Sequence, residues 1–542
     1  MIRGMQSLAA LAAVLAAFPV AAQDIEVHAQ ASGIALPPGY HALLRENPNF
    51  FEQRRVWPSR AAVVDSAGPV QRVVQGRLGM VVMMGAFADS PEPLVSPEVV
   101  EQLLFGDNPA GSLTEFYSLL SGGRLTLWGT VLPWVRTSLT RAEVAGSSFG
   151  MISYDSQTGW FLREIVAGVD GTTDFGQFDN DGPDGIPNSG DDDGFVDLAV
   201  FQFSGPAASC GVNSIWPHKA WLRGVLGTGY ATDDKRPDGD PIVVDDYFIQ
   251  SAVSCDGTPQ SISTIAHEAG HALGLPDLYD AQEGLQPYER RWILGCFSLM
   301  AGGGWGCGDG STFASSPAPS LMGPYERALV GWASLVVAEP GWRREYTLFP
   351  TQTGGQTLMV RLPPSDEFLL LEYRTRTGFD AYLPASGVVV YHVERNRPTS
   401  IDCNECQRIY HVSVVEADGD GALLRTSPEG GNRGVAGDMF TGRHRLDDYS
   451  TPSIRQNSGL PSNVRIEIEV LGDRARLVVS ILPDVLSTRL LSPLLGSAGG
   501  PPSADEQAAL DAFGNRNGRY DLGDLRAYMR SKPNSVAPPQ GS

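Results

Sequence analysis

Two histidines four residues apart, with a glutamate beside the first, constrain this chain more than any other feature. They lie in AHEAGHALGLPDLYD, residues 266–280. On a helix, positions i and i+4 share one face a turn apart, so His267 and His271 can converge on a single tetrahedral ion. Glu268 then points to one side, where it can exchange a proton with a water activated by the metal without ligating the metal itself. Ser261 and Ser263 are candidate N-caps, and Gly274 is the expected C-terminal stop. Pro276 stiffens the exit and Asp277 falls where a returning chain can offer a third ligand. Asp280 and a more distant glutamate are rival third ligands. The bland reading of the bare five-residue pattern is a surface helix with two unrelated histidines; the glycine, proline and aspartate that follow weigh against it.

A metal site of this kind needs support from below. SLMAGGGW, residues 298–305, offers Met300 for a methionine turn, with ordinary core packing as its alternative reading. Cys296 and Cys307 flank it. The remaining cysteines are Cys210, Cys255, Cys403 and Cys406. An even count suits disulfides in an exported chain, and nearness in sequence suggests Cys210–Cys255, Cys296–Cys307 and Cys403–Cys406. The Cys403–Cys406 pair has no second CxxC to complete a zinc ribbon.

Export is also the reading of the N-terminus. SLAALAAVLAAFPV and the small residues before Gln23 read as a signal peptide over 1–22, and no later segment is apolar for long enough to span a bilayer. Residues 23–75 fit a propeptide or N-terminal arm. They hold no cysteine, so a thiolate latch from this segment is excluded. The formal net charge of −22 argues against nucleic acid or an anionic membrane as partner.

The texture changes at Gly79. MVVMMGAFAD and DLAVFQFSG read as buried strands, RLTLWGTVLPWV as an alternating one, and SPEVVEQLLFG and GSLTEFYSLLSGG as helices. Residues 76–335 are expected to form a mixed α/β catalytic domain. From 336 to 485 strand signals dominate (EFLLLEYRT, SGVVVYHVE, NVRIEIEVLG, ARLVVSIL), and an all-β sandwich-like domain is expected. A linker follows at 486–503, then a small calcium-module-like segment at 504–530 and a polar, disordered tail at 531–542.

FDNDGPDGIPNSGDDDGFVD crowds carboxylates that repel one another unless a cation sits among them. Oxygen-rich, glycine-punctuated loops suit calcium, with Asp179, Asp181, Asp184, Asp191, Asp193 and Asp197 as candidate ligands; a solvated acidic loop is the alternative. In LDAFGNRNGRYDLGDLRAYM, Asn515, Asn517, Asp521 and Asp524 fall at positions three, five, nine and twelve of a calcium loop, but position one is Phe513, which cannot ligate. A surface-docking helix pair is the rival reading there. His218 in IWPHKAW is read as packing beside tryptophan, and His392 as structural.

HEAGHALGLPDLYD followed by SLMAGGGW resembles the immune-inhibitor-A-like family of secreted bacterial zinc metalloproteases. GAFADSP, IWPHKAWL, PYERALVGW and VVEADGDG fit the same pattern in order, and the likeness runs over about residues 79–480. It implies a zincin-type, metzincin-like catalytic domain, and a zinc endopeptidase released outside the cell and acting on protein or peptide substrates. His267 and His271 would be ligands, Glu268 the general base, and calcium would support the fold. The C-terminal module is similar to a degenerate half of a dockerin, which implies a cohesin-like or surface partner. The reading from another class is a non-catalytic calcium-dependent adhesin on a protease-derived fold.

Overall fold

The computed structural model describes residues 73–531, except for 93–94, 109–110, 152–155, 183, 281–290, 309–317, 364, 395–396, 398–408 and 482–500. The expected signal peptide, nearly all of the propeptide, the linker up to residue 500, Cys403–Cys406 and the tail beyond residue 531 therefore lie outside the described residues.

The first layer is a five-stranded sheet. Its strands are β1 (Gly76–Ala86), β2 (Leu125–Arg136), β3 (Leu198–Phe203), β4 (His218–Trp221) and, after the hairpin β5 (Tyr230–Lys235) and β6 (Pro241–Val244), β7 (Asp246–Ser251). The order is β2-β1-β3-β7-β4; the first four run parallel and β4 is antiparallel to β7 at the edge. Both faces are covered, which is why β1 and β3 read as continuous apolar runs rather than alternating ones. On one face Met80, Val82, Leu198, Val200 and Phe248 pack under α1 (Pro97–Phe105), α2 (Leu113–Ser121) and the histidine helix. On the other, Val81, Met83, Phe201 and Ile249 pack against α3 (Thr158–Val169). The histidine helix is α4 (Ser263–Ala272), and α5 (Pro324–Leu329) closes this body.

The residues beyond form a sandwich. One sheet has β8 (Leu335–Val337), β10 (Thr357–Arg361), β11 (Phe368–Arg374), β12 (Gly387–Val393) and β13 (Val412–Val414) in the order β13-β12-β11-β10-β8. The other has β9 (Gly341–Leu348), β14 (Arg443–Asp447), β15 (Val464–Val470) and β16 (Ala475–Ile481) in the order β14-β15-β16-β9. Strand alternation decides what each face meets. Leu369, Leu371, Val388 and Val390 turn toward Ile466, Ile468, Leu477 and Val479 of the second sheet. Phe368, Leu370, Val389 and Tyr391 turn the other way and join the core that holds α4. The same face carries buried ion pairs across the seam: Arg327 of α5 lies 2.6 Å from Glu372, and Arg374 donates to the Phe297 carbonyl at 2.7 Å and pairs with Asp380. The two units expected from the sequence thus share one hydrophobic core.

The C-terminal segment folds as α6 (Ala504–Phe513) and α7 (Leu522–Ser531), with Ser503 and Glu506 forming a capping box. The Phe513 ring meets Trp342 of β9 edge-on at 6.5 Å, and the Arg465 guanidinium lies within 6 Å of both rings. The residue that breaks the calcium-loop pattern is therefore the one that docks the helix pair. Among the described residues no helix is long and apolar enough to cross a membrane.

Candidate metal centre

Helix α4 does not begin as its sequence suggests. Ile262, not a serine, occupies the N-cap, no side chain caps the helix, and Ser263 is the first helical residue. The buried Ile262 side chain anchors this end in the core, and the Ser263 amide reaches the Ser261 hydroxyl at 3.4 Å. The other end follows expectation. Gly274 has φ +87°, its amide donates to the His271 carbonyl, and the Leu275 amide donates to that of Gly270. This is a Schellman ending, which turns the chain back along the helix.

The reversal brings three donors together. His267 Nε2 and His271 Nε2 are 3.1 Å apart, and Asp277 Oδ1 lies 3.2 and 3.3 Å from them. Each ring is fixed through its other nitrogen: His267 Nδ1 is 3.0 Å from the Leu299 carbonyl, and His271 Nδ1 is 2.8 Å from that of Leu275. Nδ1–H must donate in both, which leaves a lone pair on each Nε2 for an ion. Zinc bonds of about 2.0–2.2 Å in tetrahedral geometry separate donors by about 3.3–3.5 Å, close to the observed triangle. Asp277 supplies the sharper test. Its carboxylate is buried and neither oxygen has a hydrogen-bond donor, so a cation between it and the imidazoles accounts for its position. The residues fit zinc. Asp280 is engaged elsewhere, by Arg291 at 3.1 Å.

Met300 lies against the helix; a Cβ built on Gly270 would be 2.6 Å from its Sδ. The turn holding Met300 is closed by the Cys296–Cys307 disulfide, and Cys210–Cys255 forms the second bond. The glycines of SLMAGGGW follow from close approach. A Cβ at Gly303 would be 2.3 Å from the Ser298 carbonyl oxygen, and one at Gly304 would be 3.4 Å from His267 Cβ. The Leu278 amide donates to the Met300 carbonyl at 2.7 Å, tying the turn to the segment that carries Asp277.

A single family comparison decides the lineage of this body. The profile for "Immune inhibitor A peptidase M6, catalytic domain" matches residues 97–333. The chain carries an immune-inhibitor-A-type peptidase M6 domain. Immune inhibitor A of Bacillus thuringiensis subsp. alesti is 28% identical over 264 residues, covering 44% of this chain and 36% of the relative. The pre-pro-metalloprotease PrtV of Vibrio cholerae serotype O1 is 28% identical over 291 residues, 49% of this chain and 30% of the relative. The matched stretches thus span about a third of these relatives' length.

Within this M6 domain, one residue near the histidines escaped the sequence reading. Lys219 Nζ lies 3.2 Å from Glu268 Oε2, with both side chains buried. Lys219 alternates with His218 on β4, so the two face opposite sides of the sheet. His218 packs away from the helix, its Nδ1 2.6 Å from the Trp216 carbonyl and its Nε2 3.2 Å from the Tyr247 hydroxyl; burial pushes it down to about 4. The signal was the adjacent position in IWPHKAW, a lysine buried in a short edge strand.

The acidic loop divides. Asp179, Asp181 and Asp197 place carboxylate oxygens within 4.8 Å of one another, and the Asp193 amide donates to Asp181 at 3.3 Å. Burial and the neighbouring aspartates push Asp179 up to about 7 and Asp181 up to about 6, and burial raises Asp197 well above the carboxylate range. Asp179 Oδ1 is buried with no donor. Asp184 and Asp191 are not brought into this group. They are exposed and accept from the loop itself, Asp184 from the Ile186 amide and Asp191 from the Ser189 hydroxyl. At the C-terminus Asn515 and Asn517 donate to Asp521, while Asp524 accepts the Asn515 and Asp521 amides, a loop closed by its own hydrogen bonds.

Proposed function

We propose that the chain is a secreted zinc-dependent endopeptidase of the zincin type, metzincin-like in the placement of Met300 under its histidine helix. The observation that carries this reading is the buried Asp277 carboxylate, without a donor and 3.2–3.3 Å from two imidazole nitrogens whose other nitrogens are held by carbonyls. Zinc bound there would polarise a scissile carbonyl and bring the pKa of water toward about 7. His267, His271 and Asp277 would hold it. Glu268, next to a ligand on the same helix, takes the proton of the attacking water on its carboxylate and delivers it to the departing amine. Lys219 fixes that carboxylate by an ion pair at 3.2 Å. The buried surroundings, including Trp305 at 6.0 Å from the His267 ring, keep bulk solvent from the donors.

Calcium among Asp179, Asp181, Asp193 and Asp197 would offset their mutual repulsion and fasten the loop that leads into β3; the donorless Asp179 Oδ1 supports this. Export is supported by the apolar leader and by two disulfides, which persist in oxidising compartments. The test is casein digestion with and without chelator, after removal of residues 23–75, alongside metal analysis. Glu268→Ala should lose activity and keep zinc, whereas Asp277→Ala should lose zinc. Full zinc occupancy in Asp277→Ala would remove the third ligand. Chelator-indifferent inactivity of the processed wild type would favour the adhesin reading.

A further inference from the structure

The sandwich domain contains a second set of carboxylates that neither the zinc reading nor the acidic loop uses. Glu416, Asp418 and Asp420 alternate in EADGDG, after β13, and place oxygens within 4.8 Å of one another. Gly419 and Gly421 both have φ near +70°, which bends the chain so that alternate side chains converge. A fourth carboxylate enters from a distant segment. Asp438 is fully buried; its Oδ2 accepts the Val435 amide at 2.7 Å, while its Oδ1 is buried and has no donor. The two segments are stitched side by side, Ala417 N to the Asp438 carbonyl at 3.1 Å and Asp418 N to that of Gly437 at 3.0 Å. This pairing sets the buried Asp438 beside the stretch that carries Glu416, which is also buried. A buried carboxylate oxygen without a donor, as Asp438 Oδ1 is, needs a cation or a proton. Arg425 lies 3.6 Å from Asp420 Oδ2.

We propose that Glu416, Asp418, Asp420 and Asp438 form a calcium site that fastens residues 416–438 against the turn beneath the histidine helix. All-oxygen donors select a hard cation. An irregular loop of carboxylates suits calcium, which takes six to eight oxygens in loose geometry, better than magnesium, which demands a near-ideal octahedron. Asp418 and Asp420 are exposed, so an ion reaches the buried pair from solvent with waters completing its shell. The fastened segment is the one that grips the catalytic body. The Glu416 carboxylate accepts the Ala422 and Leu423 amides; the Leu423 carbonyl accepts the Ile293 amide at 3.0 Å, and the Arg433 carbonyl accepts the Cys296 amide at 2.7 Å. Arg433 also packs its guanidinium 5.5 Å over Trp292.

The experiment uses the full chain, stripped with chelator and titrated with calcium chloride or magnesium chloride at pH 7.5, read by amide hydrogen exchange and calorimetric stoichiometry. Peptides covering 416–438 should exchange about a hundredfold more slowly at a calcium concentration one hundred times Kd, and much less so in magnesium. Asp418→Asn with Asp420→Asn, both at exposed positions, should abolish that protection and remove one calcium equivalent. Asp179→Asn, in the acidic loop, should leave the protection intact. Calcium-indifferent exchange of 416–438 in the wild type, or an unchanged stoichiometry in the double variant, would mean that Asp438 merely holds a proton and would overturn the proposal. Neither readout depends on peptidase activity of the chain itself, so the result stands apart from that of the zinc reading.

Discussion

Replacing Gly270 by alanine tests the support beneath the histidines. A methyl there would lie 2.6 Å from Met300 Sδ, about 1 Å inside normal contact, with Met300 Cε at 3.4 Å and the Tyr117 hydroxyl at 3.6 Å. Tyr117 cannot retreat freely, because its hydroxyl donates to the Ala266 carbonyl. Alanine improves helix propensity by about 1 kcal/mol, whereas overpacking costs about 1–3 kcal/mol, so the single change should destabilise by roughly 0–2 kcal/mol. Met300→Ala alone should cost about 2–5 kcal/mol, because it empties a buried site. In that background Gly270→Ala meets no sulfur, keeps its propensity gain and refills part of the void, so it should stabilise by about 1–2 kcal/mol. The cycle predicts a stabilising effect only in the Met300→Ala background and a coupling of about 1–4 kcal/mol, measured as urea midpoints at constant m-value with zinc and calcium in excess. A Gly270→Ala variant stabilised by the full ~1 kcal/mol in the wild-type background would show that Met300 does not press on the helix.

Lys219→Met should leave Glu268 as a buried carboxylate without its ammonium and cost about 3–5 kcal/mol; thermal melts would show this, and an unchanged melting temperature would deny the pair its role. Burial pushes Glu326 up to about 7 from 4.5 although its carboxylate accepts the Met300 and Gly323 amides. The folded state therefore binds this proton more tightly than the unfolded one. Wild-type stability should fall as pH rises between about 4.5 and 7, by about 3 kcal/mol relative to Glu326→Gln, and parallel pH–stability curves for the two proteins would refute the assignment. Cys296→Ser with Cys307→Ser opens the loop around Met300 and should lower stability by about 3 kcal/mol in chemical denaturation, with no change after the wild type is reduced.

The parts that were legible in the sequence obey local rules. His267 and His271 lie on one face because helical periodicity puts them there, and Asp277 returns because Gly274 can adopt the left-handed conformation that reverses the chain. The Phe513 side chain has no oxygen to offer a cation, and its ring packs on Trp342. What was not legible depends on distant partners. Lys219 gains meaning only when β4 pairs with β7 beside α4. The start of α4 follows burial of Ile262, which overrides the serines' capping preference. Asp184 and Asp191 resemble their neighbours in composition, but the turn at Ser189 directs their oxygens to its own donors. Asp438 lies eighteen residues beyond Asp420 in the chain, and only the pairing of the two segments makes them neighbours.

The seam at β11 has a practical consequence for anyone who would divide the molecule. The family profile stops at residue 333, but Phe368, Leu370 and Tyr391 lie in the same core as Met300 and Leu299. A truncation there would bare an oily wall and strand Arg327 without Glu372, so the fragment should precipitate rather than behave as a miniature enzyme. Grafting and domain exchange are better attempted after β16, near residue 482, so that the sandwich travels with the histidine helix as one inheritance.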